Sequence, residues 1–196
     1  MIPGIDVSHY QGQIDWVKVA QSGVKFAYIN ATEGAVSRDL RFTSNWAKAR
    51  KAGLIVGPYH YMKAATPASL AAGWLFAFLN AVDRSGSLPL AIDIEDQRIT
   101  LAEVQALLKE LSDHWNTPKP ILYLDRWMAV ELNIPSADLP LWFADYDKNV
   151  TIVTPRPWTQ YTFWQYQWGR VPGISTPVDL DWFNGSPDDL KALCLP

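Results

Sequence analysis

Over residues 2–132, apolar runs of strand length alternate with segments of helical period, and this alternation limits the fold more than any other feature. The strand-like runs are 2–8, 25–32, 54–62, 88–95 and 120–124. Two of the helical segments end at a glycine, Gly23 and Gly53, a residue suited to the left-handed backbone position after a helix. Strands that alternate with helices predict βα units and a parallel sheet.

After about residue 125 the pattern changes. A short helix is predicted over 126–132, followed by three strand-like segments, LWFADY, TFWQYQ and PVDLDWF, with loops rich in proline and glycine between them. Five βα units and three further strands give eight strands, a number that closes a barrel. We therefore predict an α/β fold, an irregular TIM-like barrel of eight strands with about five helices, in which the last three strands lack helices. An open doubly wound sheet is the alternative.

Composition and charge exclude several classes of protein. The 196 residues suit one domain, and neither a linker nor a repeat divides residues 1–196. With 17 basic and 20 acidic residues and no basic run, the chain lacks the footprint of a nucleic-acid-binding protein. We find neither a secretory signal nor an apolar run that could span a membrane, so we expect synthesis in the cytoplasm without a signal peptide. The single cysteine, Cys194, excludes an intrachain disulfide and a site built on paired thiolates.

The stretch LPLAIDIEDQ places acids at the end of an apolar strand. Because side chains alternate along a strand, Leu88, Leu90, Ile92 and Ile94 are predicted on one face. Asp93 and Glu95 share the other face with Ala91. Their Cα atoms should lie about 6.5 Å apart, close enough for each charge to disfavour the other and separate the two pKa values. The pairing favours a chemical role over a structural one.

Further acids fall at other strand ends. Asp6 lies in the first strand and Asp179 in the last, while Glu33 follows the second. Closure of the barrel brings the first and last strands together, so Asp6 and Asp179 should become neighbours. We therefore predict that Asp6, Asp93, Glu95 and Asp179 line one mouth, at the carboxyl ends of the strands where barrel enzymes hold their active sites.

Few chemistries suit such a mouth. The sequence has no G-x-S-x-G elbow, and Cys194 is far from any predicted strand end. It has no H-E-x-x-H pair; His9, His60 and His114 are scattered, and His60 is predicted to be a packed strand residue. No glycine-rich loop could cradle a phosphate. Glycosidic cleavage needs carboxyl groups of differing pKa and aromatic walls, which ten tryptophans and eight tyrosines can supply, so neither a metal nor another cofactor is expected.

Six segments carry a resemblance to a known family: GIDVSHYQGQIDW, NATEG, AGLIVGPYHYM, LPLAIDIE, LWFADY and FWQYQWGRVPGISTPVDLDWF. From residue 4 to about 186, in order, the chain resembles glycoside hydrolase family 25, the Chalaropsis-type lysozymes or N-acetylmuramidases found widely as phage endolysins. The resemblance implies a flattened barrel of eight strands. It also implies hydrolysis of the β-1,4 bond between N-acetylmuramic acid and N-acetylglucosamine in bacterial peptidoglycan, with a phage endolysin as the expected origin.

The resemblance also implies residue roles. Glu95 matches the general acid, Asp93 its partner on the same strand, and Asp6 and Asp179 the two outer carboxylates. The segments that line the sugar groove in the family contain Tyr59, Tyr61, Tyr123, Trp142, Tyr146 and Gln165. Two positions depart from the family pattern: Asn30 stands where lysine is usual, and Asp181 stands where the V-D-x-N motif has asparagine. Both departures make the mouth more acidic.

Two other functions stay open at this stage. A non-catalytic sugar-binding barrel would typically have lost the acid, and Glu95 is present. Chitinase-like cleavage would call for acids at the positions of Leu88 and Ala91. We expect residues 1–196 to form one catalytic domain without a separate wall-binding module, a monomer that acts on cell-wall or periplasmic peptidoglycan after release.

Overall fold

Eight strands close into a barrel because the first strand pairs with the second on one side and with the last on the other. The computed structural model describes residues 1–114, 119–147 and 153–196. Its strands are β1 Ile2–Val7, β2 Phe26–Glu33, β3 Ser37–Arg38, β4 Ile55–Tyr61, β5 Ala91–Ile94, β6 Ile121–Asp125, β7 Leu141–Ala144, β8 Phe163–Gly169 and β9 Val178–Phe183. Its α-helices are α1 Trp16–Gln21, α2 Phe42–Lys51, α3 Ala68–Leu79, α4 Leu101–His114, α5 Arg126–Leu132 and α6 Pro187–Ala192.

The strand order is β1-β9-β8-β7-β6-β5-β4-β2, and the short β3 adds to β2 outside the closed barrel. Neighbouring barrel strands are parallel except around β9, which runs antiparallel to both β8 and β1. The start of β9 therefore lies at the end of the barrel where the other strands finish. The predicted eight-strand α/β barrel is confirmed, and the open doubly wound sheet is wrong.

Alternation along the strands separates two packed layers. Outward-facing residues such as Ile5, Ile92 and Ile94 pack against the helices in the larger apolar cluster. Inward-facing rings fill the barrel itself, among them Phe26 and Phe163, whose centroids are 5.2 Å apart. Side chains alternate in direction along a strand, so residues two positions apart belong to the same layer, either outside the barrel or inside it.

Two glycines make room for the inner rings. A Cβ atom at Gly4 would lie 2.2 Å from the Phe26 ring, and one at Gly57 would lie 2.4 Å from the Tyr28 ring. Contacts this short cannot be accommodated at a core position without moving the ring. The packing of aromatic rings inside the barrel therefore depends on the absence of side chains at these two positions.

Local signals set several helix ends. Thr100 and Glu103 form a capping box at the start of α4, with Thr100 N donating to Glu103 Oε2 at 2.8 Å and Glu103 N donating to Thr100 Oγ1 at 3.3 Å. Asp125, the last residue of β6, caps α5 by accepting from Met128 N at 2.6 Å. These caps satisfy backbone donors that the first helical turn leaves unpaired.

The structure differs from the sequence prediction at β5 and after β9. The strand predicted over 88–95 is shorter, and Leu88 lies in the inner cluster rather than on the outer face, because it precedes the regular alternation of β5. The described residues between β7 and β9 contain no helix, as predicted. A sixth helix, α6, follows β9, and its Leu190 packs against the inner rings. Within the described residues, no helix is both long and apolar enough to cross a membrane.

Candidate active site

A cavity of about 670 Å³ opens at the mouth of the barrel. All four predicted catalytic acids line it, namely Asp6 from β1, Asp93 and Glu95 from β5 and the segment after it, and Asp179 from β9. The six residues predicted for the sugar groove line the same cavity: Tyr59, Tyr61, Tyr123, Trp142, Tyr146 and Gln165. The structure thus brings together every site residue that the sequence indicated. Asp6 and Asp179 are direct cross-strand partners, as barrel closure predicts.

Gln165 of β8 joins the two sides of this cavity. Its Nε2 donates to Asp6 Oδ2 at 2.8 Å. Its Oε1 accepts from the hydroxyl of Tyr123 at 2.9 Å and also from the hydroxyl of Tyr146. Because Gln165 is buried, these hydrogen bonds use its donor and acceptor ends in one orientation only. The Gln165 amide therefore fixes the relative positions of one acid and two tyrosines.

The two acids of the β5 segment differ in their surroundings. Burial raises the pKa of Asp93 well above its ordinary value, and nearby carboxylates raise it further, Glu95 most of all. Asp93 Oδ1 is buried and has no hydrogen-bond partner among the described residues. Glu95 is open to the cavity. Its pKa is also raised, chiefly by burial between the cavity walls, while a hydrogen bond with Tyr123 opposes the shift.

The β1–β9 side carries three further acids with raised pKa values. Burial is the main cause for Asp6, Asp179 and Asp181 alike. Asp179 Oδ1 lies 3.1 Å from the Tyr146 hydroxyl oxygen, and this contact partly opposes the rise in the Asp179 pKa. Carboxyl groups this close and this buried cannot all be ionised at once. The mouth therefore retains protons at a pH where exposed aspartates have lost them.

Asn30 of β2 faces the same cavity and forms a side-chain hydrogen bond with Tyr59. The position where the resembled family carries lysine thus points toward the acids. In Tyr61, on the adjoining wall, burial and then the charge of Asp93 raise the pKa to about 12. The tyrosines of the mouth accordingly remain protonated donors throughout the neutral range.

Sequence reasoning missed one flank of the cavity. His9, Tyr10 and Asp39 line it beside β3. Asp39 is buried and accepts from His9 N at 2.6 Å and from Arg41 N at 2.7 Å, and it lies 3.0 Å from His9 Nδ1. The ring of Tyr10 is 77% exposed and its centroid lies 4.1 Å from that of His9, so it offers an open aromatic face. No local pattern marked Asp39, because its partner is thirty positions away in the chain.

His60, a residue of β4, does not line the cavity, and its side chain is buried in the packed interior as predicted. Its Nδ1 is 2.8 Å from Thr32 Oγ1, and burial lowers its pKa to about 4. In residues 1–114, 119–147 and 153–196, no group of three or more histidine, cysteine or acidic side chains could hold a metal ion.

Comparison with known proteins gives one consistent family. The model described as glycosyl hydrolases family 25 matches residues 5–174. Lysozyme M1 of Streptomyces globisporus is 32% identical over 98% of this chain and 71% of that protein. The structure of a muramidase from Trichobolus zukalii matches with a TM-score of 0.86 and 30% identity, over 99% of each chain. The bacterial lysozyme from Streptomyces coelicolor matches with a TM-score of 0.80 and 30% identity, over 98% of this chain and 96% of that one.

Proposed function

Because the chain belongs to glycosyl hydrolase family 25, we propose that it is a lysozyme, an N-acetylmuramidase that cleaves bacterial peptidoglycan. It hydrolyses the β-1,4 bond between N-acetylmuramic acid and N-acetylglucosamine. The observation that carries this function is the position of Glu95, a carboxyl group of raised pKa that opens into an aromatic-lined cavity beside a second, more buried carboxyl group. Such a pair separates an acid that can give up its proton from one held in place by its surroundings.

Glu95 acts as the general acid. Its carboxyl proton passes to the glycosidic oxygen as the bond from that oxygen to the muramic acid C1 breaks, so the N-acetylglucosamine leaves as an alcohol. The raised pKa of Glu95 keeps this proton bound at a pH where an ordinary glutamate has lost it. The hydrogen bond with Tyr123 orients the carboxyl group, and Tyr123 is in turn held by Gln165.

Asp93 positions the substrate's own nucleophile. Asp93 lines the cavity, so its carboxyl group can accept the N–H of the 2-acetamido group, whose carbonyl oxygen then bonds to C1 and forms a cyclic oxazolinium. A water molecule next attacks C1 as the bond from C1 to the acetamido oxygen breaks, which regenerates the acetamide. The water gives its proton to the Glu95 carboxylate, which restores the acid. In the competing route Asp179 or Asp6 activates the water directly. The present geometry favours substrate assistance, because Asp6 and Asp179 already hold hydrogen bonds to Gln165 and Tyr146.

We propose further that a single chain is sufficient and that the substrate is glycan alone. The four acids and the six groove residues come together within one chain, which supports a site that is complete without a second copy. The acidic mouth repels phosphate backbones, which argues against nucleic acid as a partner. The enzyme works on wall or periplasmic peptidoglycan once it reaches that compartment.

Digestion of purified peptidoglycan tests the proposed function. Reduction of the products with borohydride and mass analysis should identify muramic acid at the new reducing ends; glucosamine there would indicate a different bond.

Glu95→Gln should fold normally and lose about 10²- to 10⁴-fold in rate, the usual contribution of a general acid. Glu131→Gln makes the same change on the exposed face of α5 and should leave the rate unchanged. If Glu95→Gln keeps more than about a tenth of the rate at every pH, Glu95 is not the acid. Binding of glycan without cleavage by the wild-type protein would instead identify a sugar-binding barrel.

A further inference from the structure

We propose that Asp181 is a positioning residue of the reaction, a neutral carboxylic acid whose O–H group donates a hydrogen bond to Asp6 and so holds Asp6 against Gln165. The proposal rests on the lysozyme function given above. It concerns the position at which this chain departs from the asparagine of its family, and it gives that departure a chemical role.

The register of β9 places Asp181 at the centre of the inner face. It lies opposite Gly4 of β1 and opposite Gln165 of β8, and its side chain is 1% exposed. Because Gly4 has no side chain, the acid two residues further along β1, Asp6, is the nearest group on that strand that can face it. Asp181 and Asp6 therefore lie diagonally across the β1–β9 pair on the inner face, an arrangement that brings their carboxyl groups close together.

The remaining contacts decide which acid carries the proton. Trp142 Nε1 donates to Asp181 Oδ1 at 2.9 Å, and Asp181 Oδ2 is buried with no donor to it from the described residues. Asp6 Oδ2 accepts from Gln165 Nε2 at 2.8 Å. Two ionised carboxylates cannot form a hydrogen bond, since both only accept. A proton on the orphan Oδ2 of Asp181 supplies the donor that this pair otherwise lacks.

The surroundings favour the neutral form of Asp181. The titratable groups close to it are Asp6, Asp179, Tyr28 and Tyr146 on the inner face and Tyr166 on the outer face, where it stacks on Trp182. All are acids, and no lysine or arginine of the described chain is among them. Burial, and after it the charge of Asp6, raises the pKa of Asp181 well above its ordinary value.

Loss of this proton would reach the reacting groups through Gln165. When both carboxyl groups are ionised, Asp6 and Asp181 repel each other in a buried space. This repulsion displaces Asp6 and weakens the hydrogen bond that it accepts from Gln165. Gln165 orients Tyr123, the hydrogen-bond partner of Glu95. Activity should therefore fall on the alkaline side as Asp181 ionises.

Asp181→Asn gives the sharpest test in activity. The amide keeps the shape, accepts from Trp142 through its oxygen, and donates to Asp6 through its nitrogen at any pH. We expect the alkaline half-point of kcat/KM to rise by at least about one pH unit, where each unit is a tenfold change in proton occupancy. Asp138→Asn, the same change at an exposed loop position, should move nothing. An unchanged alkaline limb in Asp181→Asn would overturn the proposal.

Carbon-13 NMR of aspartate carboxyl groups tests the same idea without any assay of activity. The Asp181 signal, assigned by its loss in Asp181→Asn, should keep the shift of a protonated acid well above the ordinary aspartate pKa of about 3.9. Ionisation of Asp181 near that ordinary value would refute the neutral acid. Failure of the wild-type protein to cleave peptidoglycan would count against the lysozyme function but would leave this spectrum, and the inference about Asp181, to be judged separately.

Discussion

Gln165 Nε2 lies 2.8 Å from Asp6 Oδ2, and this contact links strands β8 and β1 across the antiparallel β9 that separates them in the sheet. The same side chain accepts from two tyrosine hydroxyls on its other end. Gln165, which the sequence assigns to the sugar groove, is thus the shared partner in the hydrogen-bond network around the catalytic acids. Its loss should affect stability and catalysis together.

Replacing Gln165 with leucine should lower both the free energy of unfolding and kcat. The change leaves Tyr123, Tyr146 and Asp6 without their shared partner in a buried region, at a cost of about 1–3 kcal/mol in stability. Urea denaturation measures the first effect and peptidoglycan turnover the second. Gln21→Leu, at the exposed end of α1, is the matched control and should change neither quantity by more than about 0.5 kcal/mol. Full activity in Gln165→Leu would show that the network does not orient the acids.

Introducing the lysine of the family at position 30 should shift the acidic limb of the pH–rate profile to lower pH. Asn30 lines the cavity, so a cation there stabilises ionised carboxylates and lowers their pKa values. The rate profile of Asn30→Lys against that of the wild type gives the sign directly. An upward shift would mean that the lysine side chain turns away from the acids.

The thermal midpoint of unfolding should fall as the pH rises from about 5 to 8. Asp6, Asp93 and Asp181 have folded-state pKa values above the unfolded value of about 3.9, so the folded chain keeps protons that the unfolded chain has released. The free energy of unfolding then decreases with pH from near the unfolded pKa until the raised pKa values are passed. Differential scanning fluorimetry over this range should show a shallower decline in Asp93→Asn, whereas Asp138→Asn should keep the wild-type slope. A midpoint that rises steadily to pH 8 would contradict the burial of these acids in protonated form.

Peptidoglycan that lacks the N-acetyl group on its muramic acid should bind but be cleaved at least about a hundredfold more slowly, a loss of roughly 2.7 kcal/mol in transition-state stabilisation. The acetamido carbonyl is the nucleophile in the substrate-assisted route, and the amine that replaces it cannot form the oxazolinium. Binding and turnover are measured separately on both substrates. Equal turnover would eliminate the acetamido nucleophile and leave the water route through Asp179 or Asp6.

Local sequence patterns predicted much of the fold and of the candidate site. The alternation of strand-like and helical segments is a property of short windows, and it predicted the parallel βα units up to β6 because side-chain period and turn residues act within a few positions. The same period placed Asp93 and Glu95 on one face of their strand. Closure of an eight-strand barrel then made neighbours of Asp6 and Asp179, which the register confirms.

What the sequence could not determine depends on contacts between distant segments. The direction of β9 is one such feature: had it run parallel to its neighbours, Asp179 at its start would lie at the opposite end of the barrel from Asp6, because parallel strands begin at the same end. The Gln165 contact with Asp6 spans 159 positions, and Asp181 likewise comes near Asp6 only after closure. By itself the sequence determined which residue types face the barrel interior, since alternation is local. Only the tertiary structure decided which of them share a proton or a hydrogen bond, since those partners meet through the packing of strands far apart in the chain.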